Sequence, residues 1–372
     1  MEEGSISTAY PELFRAAEVA IKDVICLRPG ERVLIVTNPN RDVSTISRAL
    51  YEVSSTITDD CNLLVQSVRS QLDLASEEVM GAIRTDPDVI LSISHEKLGK
   101  DEEAIRNPIR IGERVYDHYF NYLLGEKKSR SFWSPSVTLD MFQRCVDIDY
   151  RRLKEDCELV KNVLDGGTSA RLTSPLGTDI TIGLEGRAAK QDDGDFSRPG
   201  AGGNIPAGET FISPELGSSN GVIIFDGSIA SDRGVIILES PISCRVEGGY
   251  VTEISGGKEA EELKGTIKRA IERTNEWARE GRIPPYQLDA YVKNCRNLGE
   301  LGVGLNRKAR IVGNMLEDEK VYGTCHIAIG SNYDNDANAL IHLDGLIRSP
   351  TLTVTGRGFE RELMKNGELS AP

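Results

Sequence analysis

Leu27-Arg28-Pro29-Gly30-Glu31-Arg32-Val33-Leu34-Ile35-Val36 sets the fold class, because it carries the chain from one kind of hydrophobic spacing to another. Upstream, over residues 9–26, apolar side chains recur at helical intervals: Leu13, Ala16, Ala17, Ala20, Ile21 and Val24. Arg28-Pro29-Gly30 ends that period, and the unbroken apolar run at 33–36 then has the signature of a strand buried on both faces. Working outward, the same reading predicts a helix over 43–53, a strand over 63–68, a helix over 75–84 and a strand over 89–93 after Pro87. Helices alternating with short apolar strands require crossover connections, hence a largely parallel sheet in a three-layer α/β domain over 1–160. Thr37-Asn38-Pro39-Asn40 follows the first strand without the glycines that let a backbone approach a pyrophosphate, so dinucleotide binding is not expected.

A charged helix is predicted over 149–164, closed by Asp165-Gly166-Gly167, and the domain boundary is set near it. Beyond it the texture changes to short strands, at 170–173, 179–184, 221–225, 235–238, 244–246 and 251–254, with Gly248-Gly249 turning a hairpin. Residues 191–208 read as a loop, a mobile site rim or plain linker, since Gly200, Gly202 and Gly203 lack the strand-to-helix setting of a phosphate cradle. One long helix is predicted over 258–279. The second domain, 161–372, is therefore expected to be α+β.

Bulk properties exclude several classes. The 372 residues exceed the usual size of a single core, and 44 Lys plus Arg against 58 Asp plus Glu give a net charge of −14. That charge repels phosphate backbones and anionic lipid, so neither nucleic acid nor a membrane is an expected partner. Met1-Glu2-Glu3-Gly4-Ser5 has no signal-type apolar segment behind it, and a cytoplasmic protein is expected. The seven Cys form no C-x-x-C pair and read as reduced thiols.

Only four His occur. His95 and His118 have no ligand-type neighbours and read as structural or surface residues. In Ile341-His342-Leu343-Asp344-Gly345-Leu346-Ile347 the alternation of a strand puts His342 and Asp344 on one face, where they could share a cation. A surface ion pair is the bland alternative. Tyr322-Gly323-Thr324-Cys325-His326-Ile327-Ala328-Ile329-Gly330 reads as a second strand, with His326 on the face opposite Cys325. Tyr333 could donate to a developing oxyanion, or be a buried structural tyrosine. Glu300, between Gly and Leu in Asn297-Leu298-Gly299-Glu300-Leu301-Gly302, has a setting in which a buried charge needs a partner such as a metal. Glu209, at a Pro/Gly corner, is taken alone a turn residue.

Together these segments resemble the aminopeptidase T family of metallopeptidases over most of the chain. Pro206-Ala207-Gly208-Glu209-Thr210-Phe211-Ile212-Ser213-Pro214 is similar to its Pro-x-x-Glu-Val-Phe-Thr-Ala-Pro segment, and Leu298-Gly299-Glu300 to its Leu-Gly-Glu element. His326 through Tyr333 matches its His-Ile-Ala-x-Gly-x-x-Tyr run, and His342 with Asp344 its His-x-Asp pair. Departures lie in the spacing of Glu209 from Glu300 and of His326 from His342, and in Gly345 where an aromatic is expected. The resemblance implies two divalent ions (zinc, cobalt or manganese) held by Glu209, Glu300, His326, His342 and Asp344, with Tyr333 catalytic. It further implies a homodimeric aminopeptidase that hydrolyses short peptides through a metal-bridging water. The same superfamily is similar to dihydroxypyridine dioxygenases, and the alternative reading is a ring-cleaving enzyme with one iron on His326, His342 and Asp344.

Overall fold

A computed structural model describes residues 6–70 and 73–370. They divide into two compact units, the first formed by 1–154 with 192–207 and the second by 155–191 with 208–372.

In the first unit the predicted alternation is realised as a five-stranded, all-parallel sheet. Its order is Gly202–Asn204, Arg130–Trp133, Val89–Ile93, Val33–Thr37 and Cys61–Val65. Every residue of Val33–Thr37 and Val89–Ile93 is buried, as expected of central parallel strands covered on both faces. Leu34, Val36 and Ile90 meet Val79, Met80, Ile83 and Leu123 in one core cluster. The helix Arg41–Ser54 packs against Val33–Thr37 and beside the helices Pro11–Val19 and Leu139–Val146. The predicted loop over 191–208 differs in part, because Gly202–Asn204 is an edge strand paired with Arg130–Trp133. His118 is structural, capping the helix Tyr119–Gly125 by accepting from the Phe120 amide at 3.1 Å.

The second unit is mostly antiparallel. An eight-stranded sheet contains the Ile242–Glu247 and Tyr250–Ser255 hairpin and ends in Thr351–Gly356, Phe359–Lys365 and Glu368–Leu369. A seven-stranded sheet runs in the order Gly234–Ile237, Ser228–Ser231, His342–Arg348, Thr324–Gly330, Leu298–Gly304, Glu209–Ile212, Lys190–Asp192. The long helix spans Lys258–Arg279, matching the expected bounds. The chain is thus a mixed α/β protein with one parallel and several antiparallel sheets. Among the described residues no helix is long and apolar enough to cross a membrane. The seven cysteines are thiols and not disulfides, five of them buried, Cys325 included.

Candidate metal centre

The seven-stranded sheet carries every site residue nominated from sequence except Tyr333, which follows one of its strands. Register decides which of them meet. Antiparallel pairing places Ala328 between Glu300 and Asp344, Gly302 opposite both Phe211 and His326, and Gly330 opposite His342. Residues alternate between faces along a strand, so Glu209, Phe211, Glu300, Gly302, His326, Ala328, His342 and Asp344 share one face. The floor beneath the polar groups is Gly302, Ala328 and Gly330, and smallness there is required. A Cβ at Gly302 would lie 1.9 Å from the His326 Nε2, so the imidazole occupies the volume that the glycine leaves.

Two sets of three groups result, sharing Glu300. Glu209, Glu300 and His326 form one, and Glu300, His342 and Asp344 the other, the ligand atoms of each set lying within 4.8 Å of one another. His326 Nε2 is 2.9 Å from Glu300 Oε1 and 3.5 Å from Glu209 Oε2. His342 Nε2 is 3.3 Å from Asp344 Oδ1 and 3.5 Å from Glu300 Oε2. Among the described residues no such set joins His326 with His342 and Asp344, so the facial triad anticipated for the iron alternative is not formed as a group.

Carboxylates this deep need compensation. Glu209 Oε2, Glu300 Oε2 and Asp344 Oδ1 are buried and make no hydrogen bond, so three carboxyl oxygens converge without donors. Such a donor set of buried carboxylates and imidazoles is fit to hold a metal ion. His342 is further prepared as a ligand: its Nδ1–H donates a hydrogen bond to the Ser331 carbonyl at 2.8 Å, which leaves Nε2 facing the site. His326 Nδ1 has no such partner.

Sequence reasoning missed Lys320 and Glu319. Lys320 is fully buried, with Nζ 3.0 Å from Glu209 Oε1 and 2.5 Å from Glu319 Oε1. A lysine followed by Val-Tyr-Gly carries no ligand signal, and its role comes only from folding.

Proton affinities reflect this crowding. Burial alone would lower the His326 pKa, but the hydrogen bond and charge of Glu300, with Glu209 and Asp344, push it up to about 9. Glu209 is pushed up to about 8 by burial and by Glu319, against Lys320 and His326. Asp344, which burial alone would raise, is held down at about 2 chiefly by His342.

Tyr333 is 53% exposed, which removes the buried-structural alternative. Its ring stands edge-on to His342 at 5.1 Å between centroids and beside Phe211 at 5.2 Å. The loop carrying it is pinned by Arg187 to Asp334 and Asp336, and by Lys190 to Asp334 and the Tyr333 carbonyl.

No curated protein matches the chain. Among solved structures, that of the 2,5-dihydroxypyridine dioxygenase from Pseudomonas putida KT2440 superposes with a TM-score of 0.71 at 16% identity, covering 97% of each chain. AmpT from Thermus thermophilus superposes at 0.65 with 19% identity, covering 97% of this chain and 99% of that one. At such identities the likeness is one of fold, and in that sense the resemblance to aminopeptidase T holds. The model of one family, 2,5-dihydroxypyridine 5,6-dioxygenase (NicX), matches residues 139–357, more than half of the chain and all of the cluster. This match overturns the expected aminopeptidase, and with it the hydrolase and protease readings. The reason is chemical: buried His, Asp and Glu ligands serve hydrolysis and oxidation alike, so the motifs specify a metal-holding sheet and not its reaction. The chain belongs to the NicX family, described as 2,5-dihydroxypyridine 5,6-dioxygenase.

Proposed function

We propose that this protein is an iron-dependent dioxygenase that opens the ring of a dihydroxylated pyridine. The observation that carries the reading is the family match over residues 139–357, which encloses Glu209, Glu300, His326, Tyr333, His342 and Asp344. Both atoms of dioxygen end on the two ring carbons whose bond is broken, so one dioxygen is consumed per ring.

A ferrous ion, when bound, supplies dioxygen activation and a seat for a ring oxygen. The set Glu300, His342 and Asp344 suits it best, because His342 is held in the ligating tautomer by Ser331 and stands beside the half-exposed Tyr333. Glu209 and His326 act behind it. His326 Nε2 hydrogen-bonds to Glu300 Oε1 and fixes that carboxylate, while Lys320 neutralises Glu209 at the place a second cation would take. One ion per chain therefore replaces the two expected from sequence. Phe211 and Tyr333 form an aromatic wall for a flat ring. The Tyr333 hydroxyl donates to a ring oxygen and orients it.

Oxygen uptake by the ferrous-loaded protein with 2,5-dihydroxypyridine tests this. One dioxygen per ring lost, at one iron per chain, is expected. Full metal loading without oxygen uptake, or uptake without loss of the ring's absorbance, would sink it.

A further inference from the structure

The first unit contains a cavity of about 310 Å³ that shares no residue with the metal centre. It opens where the parallel neighbours Val89–Ile93 and Arg130–Trp133 end, Ser92 lying opposite Trp133 in register. The carboxyl ends of parallel strands are where α/β sheets take small ligands, because the diverging connections leave a crevice there. Trp133 and Phe120 line it, their rings T-shaped at 6.1 Å and 80°. Such a corner presents both a ring face and a ring edge to a flat guest.

Three of its polar side chains lack partners among the described residues. Ser92 is 3% exposed and lines the cavity, and its hydroxyl makes no hydrogen bond among the described residues. Lys97 and Lys100 also line it, and neither ammonium forms an ion pair among the described residues. Glu96, exposed at the edge, is the one carboxylate on the wall. In a chain of net charge −14, two unpaired ammonium groups beside an aromatic corner form a local site for an anion. The loop that carries them is fixed: Gln66 Nε2 donates to the Leu98 carbonyl at 2.8 Å, and His118 Nε2 lies 3.1 Å from the Gly99 carbonyl. Gly99 itself has a φ of +99°, and a Cβ there would lie 2.6 Å from the Ala75 amide nitrogen.

We propose that this cavity binds a one- or two-ring aromatic carboxylate, its ring seated against Trp133 and Phe120 and its carboxylate held by Lys97, Lys100 and the Ser92 hydroxyl. The inference goes beyond the dioxygenase reading and stands without it.

Fluorine NMR of 4-fluorobenzoate with the full chain, stripped of metal by chelator, tests it, with 4-fluorobenzyl alcohol as the neutral control. Saturable line broadening is expected. The Lys97→Ala/Lys100→Ala double variant and the alcohol should each bind at least tenfold more weakly, and Ser92→Ala several-fold more weakly. His342→Ala should bind as the parent does. The charged residues lie at the surface, and circular dichroism checks that the variants remain folded. Absence of saturation, equal affinity in the folded double variant, or loss of binding in His342→Ala would each overturn the proposal. None of these results depends on whether the metal-loaded protein consumes oxygen.

Discussion

Gly302 and Lys320 do as much to define the centre as the ligands themselves. Gly302→Ala would bring a methyl group within 1.9 Å of the His326 Nε2, so the imidazole must leave its place on Glu300. Metal affinity should fall at least tenfold by calorimetric titration, with a stability loss of about 1–3 kcal/mol from overpacking. Full affinity in this variant would show that His326 has no part in the centre. Lys320→Met removes the buried ammonium from Glu209 and Glu319, and a second cation then becomes the remaining source of positive charge for them. Metal analysis should move from one ion per chain toward two, and an unchanged count would remove Lys320 from that role. Protons on His326 and Glu209, behind the proposed ligands, add positive charge beside the ion and weaken its binding. With His326 held up near pH 9 and Glu209 near pH 8, metal affinity should rise with pH up to about 9. The linkage sign follows from the same shifts. A histidine pKa raised on folding gives stability that is complete below its unfolded value and lost as pH climbs through the folded one. The metal-free protein should therefore lose stability between about pH 6.5 and 9, measured by denaturant midpoints. A flat profile would refute the proton sharing described for the cluster.

At the level of elements, what the sequence revealed depended on whether a signal was local. The helix Lys258–Arg279 and the strand Val89–Ile93 were legible to the residue, because periodicity and flanking Gly or Pro are properties of one segment. Leu298–Gly304 stands out in the sequence only through Glu300 and carries no strand signature, since three glycines in seven residues look like loop chemistry. Those glycines answer to neighbours far along the chain: a Cβ at Gly299 would meet the Ser331 carbonyl oxygen at 2.1 Å. Gly202–Asn204 is hidden in the sequence for a similar reason, as it is an edge strand held by Arg130–Trp133, far away along the chain. The five nominated metal ligands do converge, because fixed residue types at strand spacing survive translation into geometry. The reaction was not legible, because those types admit more than one chemistry. Arg130 shows how the strand Arg130–Trp133 is secured. Its guanidinium is 2% exposed, meets Glu31 through two contacts of 2.9 and 2.6 Å, and donates to the carbonyls of Ile25 and Cys26. Glu31→Ala strands that charge in the interior and should cost about 3–5 kcal/mol by chemical denaturation. A cost below about 1 kcal/mol would mean that the two carbonyls suffice for it.

For the whole molecule, the metal reports on one unit, since every proposed ligand belongs to the second and none to the first. An ion that binds only the folded state at a hundred times its dissociation constant adds about 2.7 kcal/mol. For a unit of roughly 150–250 residues each kcal/mol moves the melting temperature by about 2–4 °C, so chelation should lower it by roughly 5–10 °C. The gain should also be local. Buried carboxylates such as Glu300 and Asp344 repel one another without a cation, and the strands carrying them open more readily once it is removed. Hydrogen exchange followed by mass spectrometry should therefore show faster amide exchange in Leu298–Gly304, Thr324–Gly330 and His342–Arg348 after chelation. Val33–Thr37 and Val89–Ile93, with a core of their own, should exchange at the same rate in both states. His342→Ala should show the fast pattern with or without added iron. An acceleration shared equally by both sheets would mean that the units open together, and the metal would then stabilise the whole chain instead of the sheet that holds it.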